Sequence, residues 1–127
     1  MELSTIINIL IALFLVWFLF KQFAPIKGLK VLKDQEFRDK MKASNSYLID
    51  VREPHEYKTG YIAGAKNMPL SQFKKHVETI PKDKGIFLYC QSGMRSKKAA
   101  RILNTNGFSE LSHLQGGLLS WTGKTNK

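Results

Sequence analysis

The chain has a single cysteine, Cys90, among 127 residues. A structural disulfide within one chain is therefore excluded, and in a reducing compartment the thiol stays available for chemistry. The sequence also lacks internal repeats and low-complexity segments. With 43% hydrophobic residues, a chain of this length has room for one domain with a proper core and not for two.

Charge is absent from residues 3–20, where Ser4, Thr5 and Asn8 are the polar side chains. A helix over this segment would rise roughly 27 Å, close to the ~30 Å hydrocarbon core of a bilayer. Residues 1–23 are therefore predicted to form a transmembrane anchor. The alternatives are a cleaved signal peptide, which usually has a basic start and a small-residue cleavage site that this sequence lacks, and a buried core helix, which would need a larger protein around it.

Basic residues are concentrated on one side of this segment, where Lys21, Lys27, Lys30 and Lys33 follow it. The positive-inside rule then predicts a single-pass protein of the cell membrane with its domain in the cytoplasm, joined by a linker over residues 24–30. All 20 Lys and Arg and nine of the ten acidic residues lie beyond residue 20, a net charge of +11. We expect this charge to favour an anionic membrane surface and small anions. No aromatic platform accompanies it, so nucleic acid is not a predicted partner.

Apolar runs and turn residues alternate along the remaining chain in a way that predicts strands alternating with helices. Such alternation is typical of an α/β fold with a parallel sheet covered by helices on both faces. Asp34 is expected to cap the first helix of the domain and Ser96 a later one that ends before Gly107. The predicted strands cover residues 31–32, 47–51, part of 62–69, 86–89 and 109–114, and the predicted helices cover 34–42, 55–59, 70–80, 97–106 and 118–123.

The thiol of Cys90 follows an apolar, β-prone run over residues 86–89, so it is expected at the carboxyl end of a buried strand. Ligands of open α/β sheets collect at that edge. Gly93 permits a tight turn, and the N–H groups of the loop and of the next helix would favour a thiolate and an anion beside it. A lone cysteine is more often a small buried hydrophobe, but such a residue would not need the Gly, Arg and Ser that follow.

Three motifs together resemble the rhodanese family of sulfurtransferases. They are the loop Cys90-Gln91-Ser92-Gly93-Met94-Arg95-Ser96, an upstream segment over residues 48–69 that begins Leu-Ile-Asp-Val-Arg-Glu, and a closing segment Leu-Gln-Gly-Gly at 114–117 with Trp121 beyond. The resemblance implies a rhodanese-like domain over residues 31–123 and a tail over 124–127. One departure is Tyr61, where the family often has His.

The resemblance implies transfer of sulfane sulfur, without a cofactor, from a small anionic donor such as thiosulfate to a thiol or cyanide acceptor. Cys90 would carry the sulfur as a persulfide, and the loop residues 91–96 would bind the substrate. Arg95 would hold the donor oxyanion or fix the loop. The alternative function is a membrane-attached persulfide carrier or binding module with little thiosulfate turnover.

Loop length separates this chemistry from that of tyrosine phosphatases. Those enzymes place five residues between cysteine and arginine, whereas Cys90 and Arg95 have four between them. A shortened ring of amides should grip a tetrahedral phosphate poorly, so phosphatase and arsenate reductase activity are not expected.

The remaining polar residues carry plainer expectations. Asp50 and Arg52 are predicted to form an ion pair that braces the loop, and Glu53 and Glu56 to lie on solvated faces. His55, His76 and His113 have no second ligand at metal spacing, so no metal site is predicted. A Cys–His dyad stays open, although loop amides alone could generate a thiolate.

Overall fold

The computed structural model describes residues 2–127 of the chain. The main helices are α1 (Leu3–Phe23), α2 (Asp34–Ala43), α3 (Pro54–Tyr57), α4 (Phe73–His76) and α5 (Met94–Thr105). Short 3-10 turns cover Leu70–Gln72, Val77–Thr79 and Gly117–Ser120. The strands are β1 (Leu29–Leu32), β2 (Ser46–Asp50), β3 (Tyr61–Ile62), β4 (Lys66–Asn67), β5 (Gly85–Tyr89), β6 (Leu111–Leu114) and β7 (Thr125–Asn126).

Five of these strands form a parallel sheet in the order β1-β6-β5-β2-β4. Strand β5 is at its centre, with Leu88 paired to Ile49 of β2 and to His113 of β6. Parallel strands need crossover connections: α5 joins the neighbours β5 and β6, and α2 joins β1 at the sheet edge to β2, beyond β6 and β5. The α/β fold with a parallel sheet, predicted from the alternation of elements, is confirmed.

The two faces of the sheet bury two separate apolar clusters because side chains alternate along each strand. On β5, Ile86, Leu88 and the following Cys90 pack toward α5. Phe87 and Tyr89 point the other way, where Phe87 meets Phe37 of α2 edge to face at 5.3 Å between ring centroids. The alternation therefore places Cys90 on the α5 side of the sheet.

Several local predictions are corrected by the structure. Helix α5 begins at Met94, and its N-cap is Gly93 with φ of +110°, so Ser96 lies inside the helix and does not cap it. Lys33 precedes α2, and Asp34 is its first residue. The helix predicted over 70–80 is split into α4 flanked by two 3-10 turns, and the helix predicted over 118–123 is the 3-10 turn Gly117–Ser120.

Residues predicted to be a tail contain β7, which pairs antiparallel with β3 in a separate two-stranded sheet. At the other end of the chain, helix α1 is long and apolar enough to cross a membrane over Leu3–Gln22. Its described side chains are exposed. The contacts between α1 and the domain include one from Arg101 Nη2 to the carbonyl of Gln22, at 3.3 Å.

Candidate active site

Cys90 is the first residue after β5, at the carboxyl edge of the sheet. Its side chain is 1% exposed and lies in the apolar cluster with Leu88 and Ala99. The thiol is not bonded to another cysteine. Residues 91–93 then turn the chain sharply into α5, and the positive φ of Gly93 is what allows this turn, because side-chain-bearing residues rarely adopt it.

The sulfur of Cys90 is surrounded by hydrogen-bond donors from its own loop. The backbone N–H of Gly93 donates to Sγ at 3.0 Å and that of Ser96 at 3.4 Å, while Ser96 Oγ lies 3.7 Å from Sγ. Ser96 belongs to the first turn of α5, whose amides have no partner within the helix. Amides aimed at sulfur stabilise negative charge there, so this arrangement suits a nucleophilic thiolate.

The loop is held from behind by the closing segment near the end of the chain. Leu118 donates its N–H to the carbonyl of Cys90 at 2.8 Å, and Leu119 donates to that of Gln91 at 3.2 Å. Gly117, with φ of +62°, packs directly on this backbone, and a Cβ there would lie 2.5 Å from the carbonyl oxygen of Cys90. Gly117 is therefore a packing requirement of the Cys90 loop, whereas a Cβ at Gly116 would meet the side chain of Ser120.

The side chain of Arg95 reaches Glu56 of α3. Its Nη1 and Nη2 donate to the two carboxylate oxygens at 2.6 and 2.9 Å, a bidentate pair that is partly exposed. The hydrogen bonds from Arg95 lower the pKa of Glu56 to about 2. Glu56 Oε1 also accepts from the N–H of Glu53 as half of a capping box, and Ser71 donates to Glu53. The expectation that Glu53 and Glu56 lie free on solvated faces is therefore wrong.

Asp50 and Arg52 form a buried pair beneath the loop. Arg52 Nη2 donates to Asp50 Oδ2 at 2.7 Å and to the carbonyl of Gly60 at 2.6 Å, and its Nε contacts both carboxylate oxygens. A longer contact of 3.4 Å runs from Arg52 Nη1 to the side chain of Gln91. The ion pair expected from the sequence is thus present and touches the loop, and its bracing role stays a prediction.

The structure brings the predicted loop residues 91–96 together, but they differ in their exposure to solvent. Ser92 and Met94 are exposed at the mouth, with Met94 69% exposed, whereas Ser96 is fully buried beneath the sulfur. Tyr61, the departure from the motif, stacks on Tyr57 with ring centroids 4.1 Å apart. It therefore supports α3, the helix that carries Glu56.

Two residues near the site were not predicted as part of it. Glu56 holds Arg95, as described, and His113 of β6 places Nδ1 3.0 Å from Ser96 Oγ. Both contacts join residues far apart in sequence, so no local pattern indicates them. One indication for His113 was available: it lies on β6, the strand that pairs with β5, and Cys90 directly follows β5.

The fold and these motifs agree with comparisons to known proteins. A family model described as rhodanese-like domain matches residues 33–124. The uncharacterized protein YqhL of Bacillus subtilis (strain 168) is 40% identical over 121 residues, 95% of this chain and 94% of that protein. A protein of Allochromatium vinosum named sulfurtransferase is 35% identical over 74 residues, 58% of this chain and 69% of its own length.

Solved structures show the same likeness. A rhodanese-related protein from Thermoplasma volcanium superposes with a TM-score of 0.70 at 26% identity, covering 76% of this chain and 97% of its own. Since the family model covers well over half of the residues, the chain belongs to the rhodanese-like domain family. The resemblance drawn from the motifs is confirmed, and the family's association with sulfur transfer applies to this domain in general terms.

Proposed function

We propose that the protein is a membrane-anchored sulfurtransferase that moves sulfane sulfur from a small anionic donor such as thiosulfate to a thiol or cyanide acceptor. The observation that carries the proposal is the pair of backbone N–H groups, from Gly93 and Ser96, directed at Cys90 Sγ. Membership of the family and the name of the Allochromatium relative support the reaction class.

The proposed reaction is a double displacement on Cys90. The thiolate attacks the outer sulfur of thiosulfate, the sulfur–sulfur bond of the donor breaks, and its electron pair leaves with sulfite. The persulfide on Cys90 is held by amides of residues 91–96. An acceptor thiolate or cyanide then attacks the outer sulfur, and Cys90 departs as a thiolate, so the enzyme returns to its starting state without a cofactor.

The arginine of the loop fits the second of the two roles considered for it. Both terminal nitrogens of Arg95 donate to the carboxylate of Glu56, so the guanidinium ties the loop to α3. We assign Arg95 to fixing the loop and leave the binding of the donor to the loop amides and to the basic field of the domain. Asp50 and Arg52 brace the same loop through Gln91.

The experiment that tests the reaction replaces the nucleophile. Cys90→Ser should abolish thiosulfate:cyanide sulfur transfer, because a hydroxyl of similar size is not a soft nucleophile. Wild-type protein treated with thiosulfate should gain the mass of one sulfur atom, and the variant should gain none. Because Cys90 is the sole cysteine, the added mass has one thiol to occupy.

Thermal unfolding of both proteins controls for loss of structure. Transfer in Cys90→Ser within about tenfold of the wild-type rate would contradict the proposal, since such a residue would supply under 1.4 kcal/mol.

The proposed location is the cell membrane, with α1 (Leu3–Phe23) as an uncleaved anchor and the domain in the cytoplasm. The linker expected over residues 24–30 ends at residue 28, because Leu29 begins β1 of the rhodanese-like domain. The full chain should stay with membranes in carbonate, and a version that begins at Ile26 should be soluble and still transfer sulfur.

Orientation is tested with reporter cysteines in a Cys90→Ser background, since the natural thiol is too buried for a bulky maleimide. A membrane-impermeant maleimide should label Glu2→Cys in intact cells and Lys75→Cys after permeabilisation, because both positions are exposed. Labelling of Lys75→Cys in intact cells would contradict the orientation.

A further inference from the structure

His113 is a buried ionisable group that the proposed reaction leaves without a task. It lies on β6, is 5% exposed, and has Nδ1 3.0 Å from Ser96 Oγ. The same hydroxyl is 3.7 Å from Cys90 Sγ and 3.1 Å from the carbonyl of Gly93. A continuous chain of polar atoms therefore runs from the thiol through Ser96 to the imidazole, inside an otherwise apolar layer.

The hydroxyl of Ser96 has one proton and faces two acceptors, the Gly93 carbonyl and the His113 nitrogen, so the chain has two complete arrangements. With Nδ1 unprotonated, Ser96 donates to His113 and accepts from the thiol of Cys90. With Nδ1 protonated, the ring donates to Oγ and the hydroxyl proton turns to the Gly93 carbonyl. Sulfur is then left as a thiolate under the two loop amides. The arrangements differ by one proton moved from sulfur to the ring.

We propose that His113 is a positioning residue for sulfur transfer that receives the proton of Cys90 through the hydroxyl of Ser96. The inference rests on the proposed function. As the thiol proton passes to Oγ, the hydroxyl proton passes to Nδ1, and the sulfur lone pair attacks the outer sulfur of the donor. A bond forms between Cys90 Sγ and the outer sulfur while the donor's sulfur–sulfur bond breaks with its electron pair on the leaving sulfite. The donor's sulfane sulfur supplies the oxidation level of the persulfide, so no other oxidant is needed.

The surroundings of His113 favour the neutral form of its imidazole. Its neighbours across the sheet, Val31 on β1 and Leu88 on β5, carry no ionisable group. Burial, and then the charge of Lys97, lower the pKa of His113. The neutral ring that this favours leaves Nδ1 free to accept from Ser96 Oγ, 3.0 Å away. The charged side chains that face it across a cavity of about 460 Å³ come from α5, and they are Lys97, Lys98 and Arg101.

That cavity also gives the proton a way out. It is open to solvent and is lined by His113 together with Gly93, Gln115 and Gln22. A proton taken at Nδ1 can therefore be exchanged at the outer side of the ring while the persulfide is waiting for its acceptor. Ser92 and Met94 of the loop mouth line the same cavity, so the donor and the exchanging proton share one opening.

The test follows persulfide formation by the full chain in detergent micelles from about pH 5 to about pH 9. In the wild type the rate should be level through neutrality and fall only below the ordinary histidine pKa. His113→Asn keeps a polar atom near the place of Nδ1 but cannot titrate. Its rate should be reduced about tenfold at pH 7 and rise with pH until it approaches the wild type in alkali.

Three further variants serve as controls for this result. Ser96→Ala should show the same rising profile, and the double variant should be no slower than either single one, because both changes break the same chain. His76→Asn, on α4 and away from the site, should keep the wild-type profile. If the profile of His113→Asn runs parallel to that of the wild type at every pH, the inference is overturned. If the wild type forms no persulfide at any pH, the proposed function fails first.

A second measurement keeps the inference testable should His113→Asn not fold. Nuclear magnetic resonance titration of the three histidines in the wild type and in Cys90→Ser compares the same ring with and without the thiol. Coupling is reciprocal, so loss of the thiolate should lower the pKa of His113 by about half a unit or more. Superimposable titration curves for His113 in the two proteins would overturn the inference.

Discussion

Two arginine–carboxylate pairs contact the Cys90 loop, and they differ most in burial. The side chains of Arg52 and Asp50 are 2% and 0% exposed, whereas those of Arg95 and Glu56 are 32% and 24% exposed. A buried pair cannot lose one partner without leaving a charge stranded in an apolar layer. A partly exposed pair can separate into water at little cost. We therefore expect loss of the first pair to reduce the stability of the whole fold, and loss of the second to act mainly on the position of the loop.

The largest effect is expected from breaking the buried pair. Asp50→Ala should lower the free energy of unfolding by about 3–5 kcal/mol, because Arg52 is left charged and buried. The measurement is urea unfolding of the version that begins at Ile26. Replacing both partners with apolar residues, Asp50→Leu with Arg52→Met, should cost less than Asp50→Ala alone. A loss below about 1 kcal/mol in Asp50→Ala would place this pair in the same class as the exposed one.

An intermediate effect, on activity more than on stability, is expected at the exposed pair. Arg95→Lys keeps the charge but loses the planar fork that matches Glu56, so sulfur transfer should fall about tenfold while stability changes by under about 1 kcal/mol. Arg38→Lys is the matched control, since Arg38 pairs with Asp34 on α2 at similar exposure. Equal turnover in the wild type and Arg95→Lys would show that the fork does not position the loop.

The smallest effect is expected on the pH dependence of stability. The pKa of Glu56 is lowered in the folded state to about 2 from an ordinary 4.5. Its contribution is therefore complete above 4.5 and is lost as the pH falls toward about 2. Glu56→Gln removes this titration, so the difference in unfolding free energy between wild type and variant should shrink only in that acid range. A difference that already changes between pH 7 and 5 would contradict the assignment.

Glu56→Gln also tests whether Arg95 positions the loop through its pair with Glu56. With the carboxylate gone, Glu56→Gln should lower turnover by a factor smaller than that of Arg95→Lys, and the two changes together should not add. A lower KM for thiosulfate in Glu56→Gln would instead mean that Glu56 competes with the donor for the guanidinium.

The sequence predicts structure best where a feature depends on residues that are adjacent in the chain. The apolar run before Cys90 and the glycine at 93 are local signals, and the parallel sheet and the loop follow from them. The start of α5 was misjudged because Ser96 is a good N-cap by type, whereas Gly93 with positive φ lets the helix begin at Met94.

Contacts between distant segments could not be predicted in this way. By its residue type alone Glu56 is expected to be exposed to solvent, and only the folded chain brings it to Arg95. The helix predicted over 70–80 has the right apolar spacing, but Leu70, Phe73 and Val77 each face the same cluster through turns that tighten to 3-10 geometry. Tertiary packing overrode the local period there.

Strand β1 is the first strand of the sheet to leave the ribosome, yet it hydrogen-bonds to β6, the last of the five to be made. A growing chain therefore cannot close this edge until residues 111–114 have emerged, and Leu118 and Leu119 secure the Cys90 loop only after that. Closure between such distant segments is slow compared with helix formation. The Cys90 loop is therefore completed only on chains whose synthesis has passed Leu119, long after helix α1 has left the ribosome.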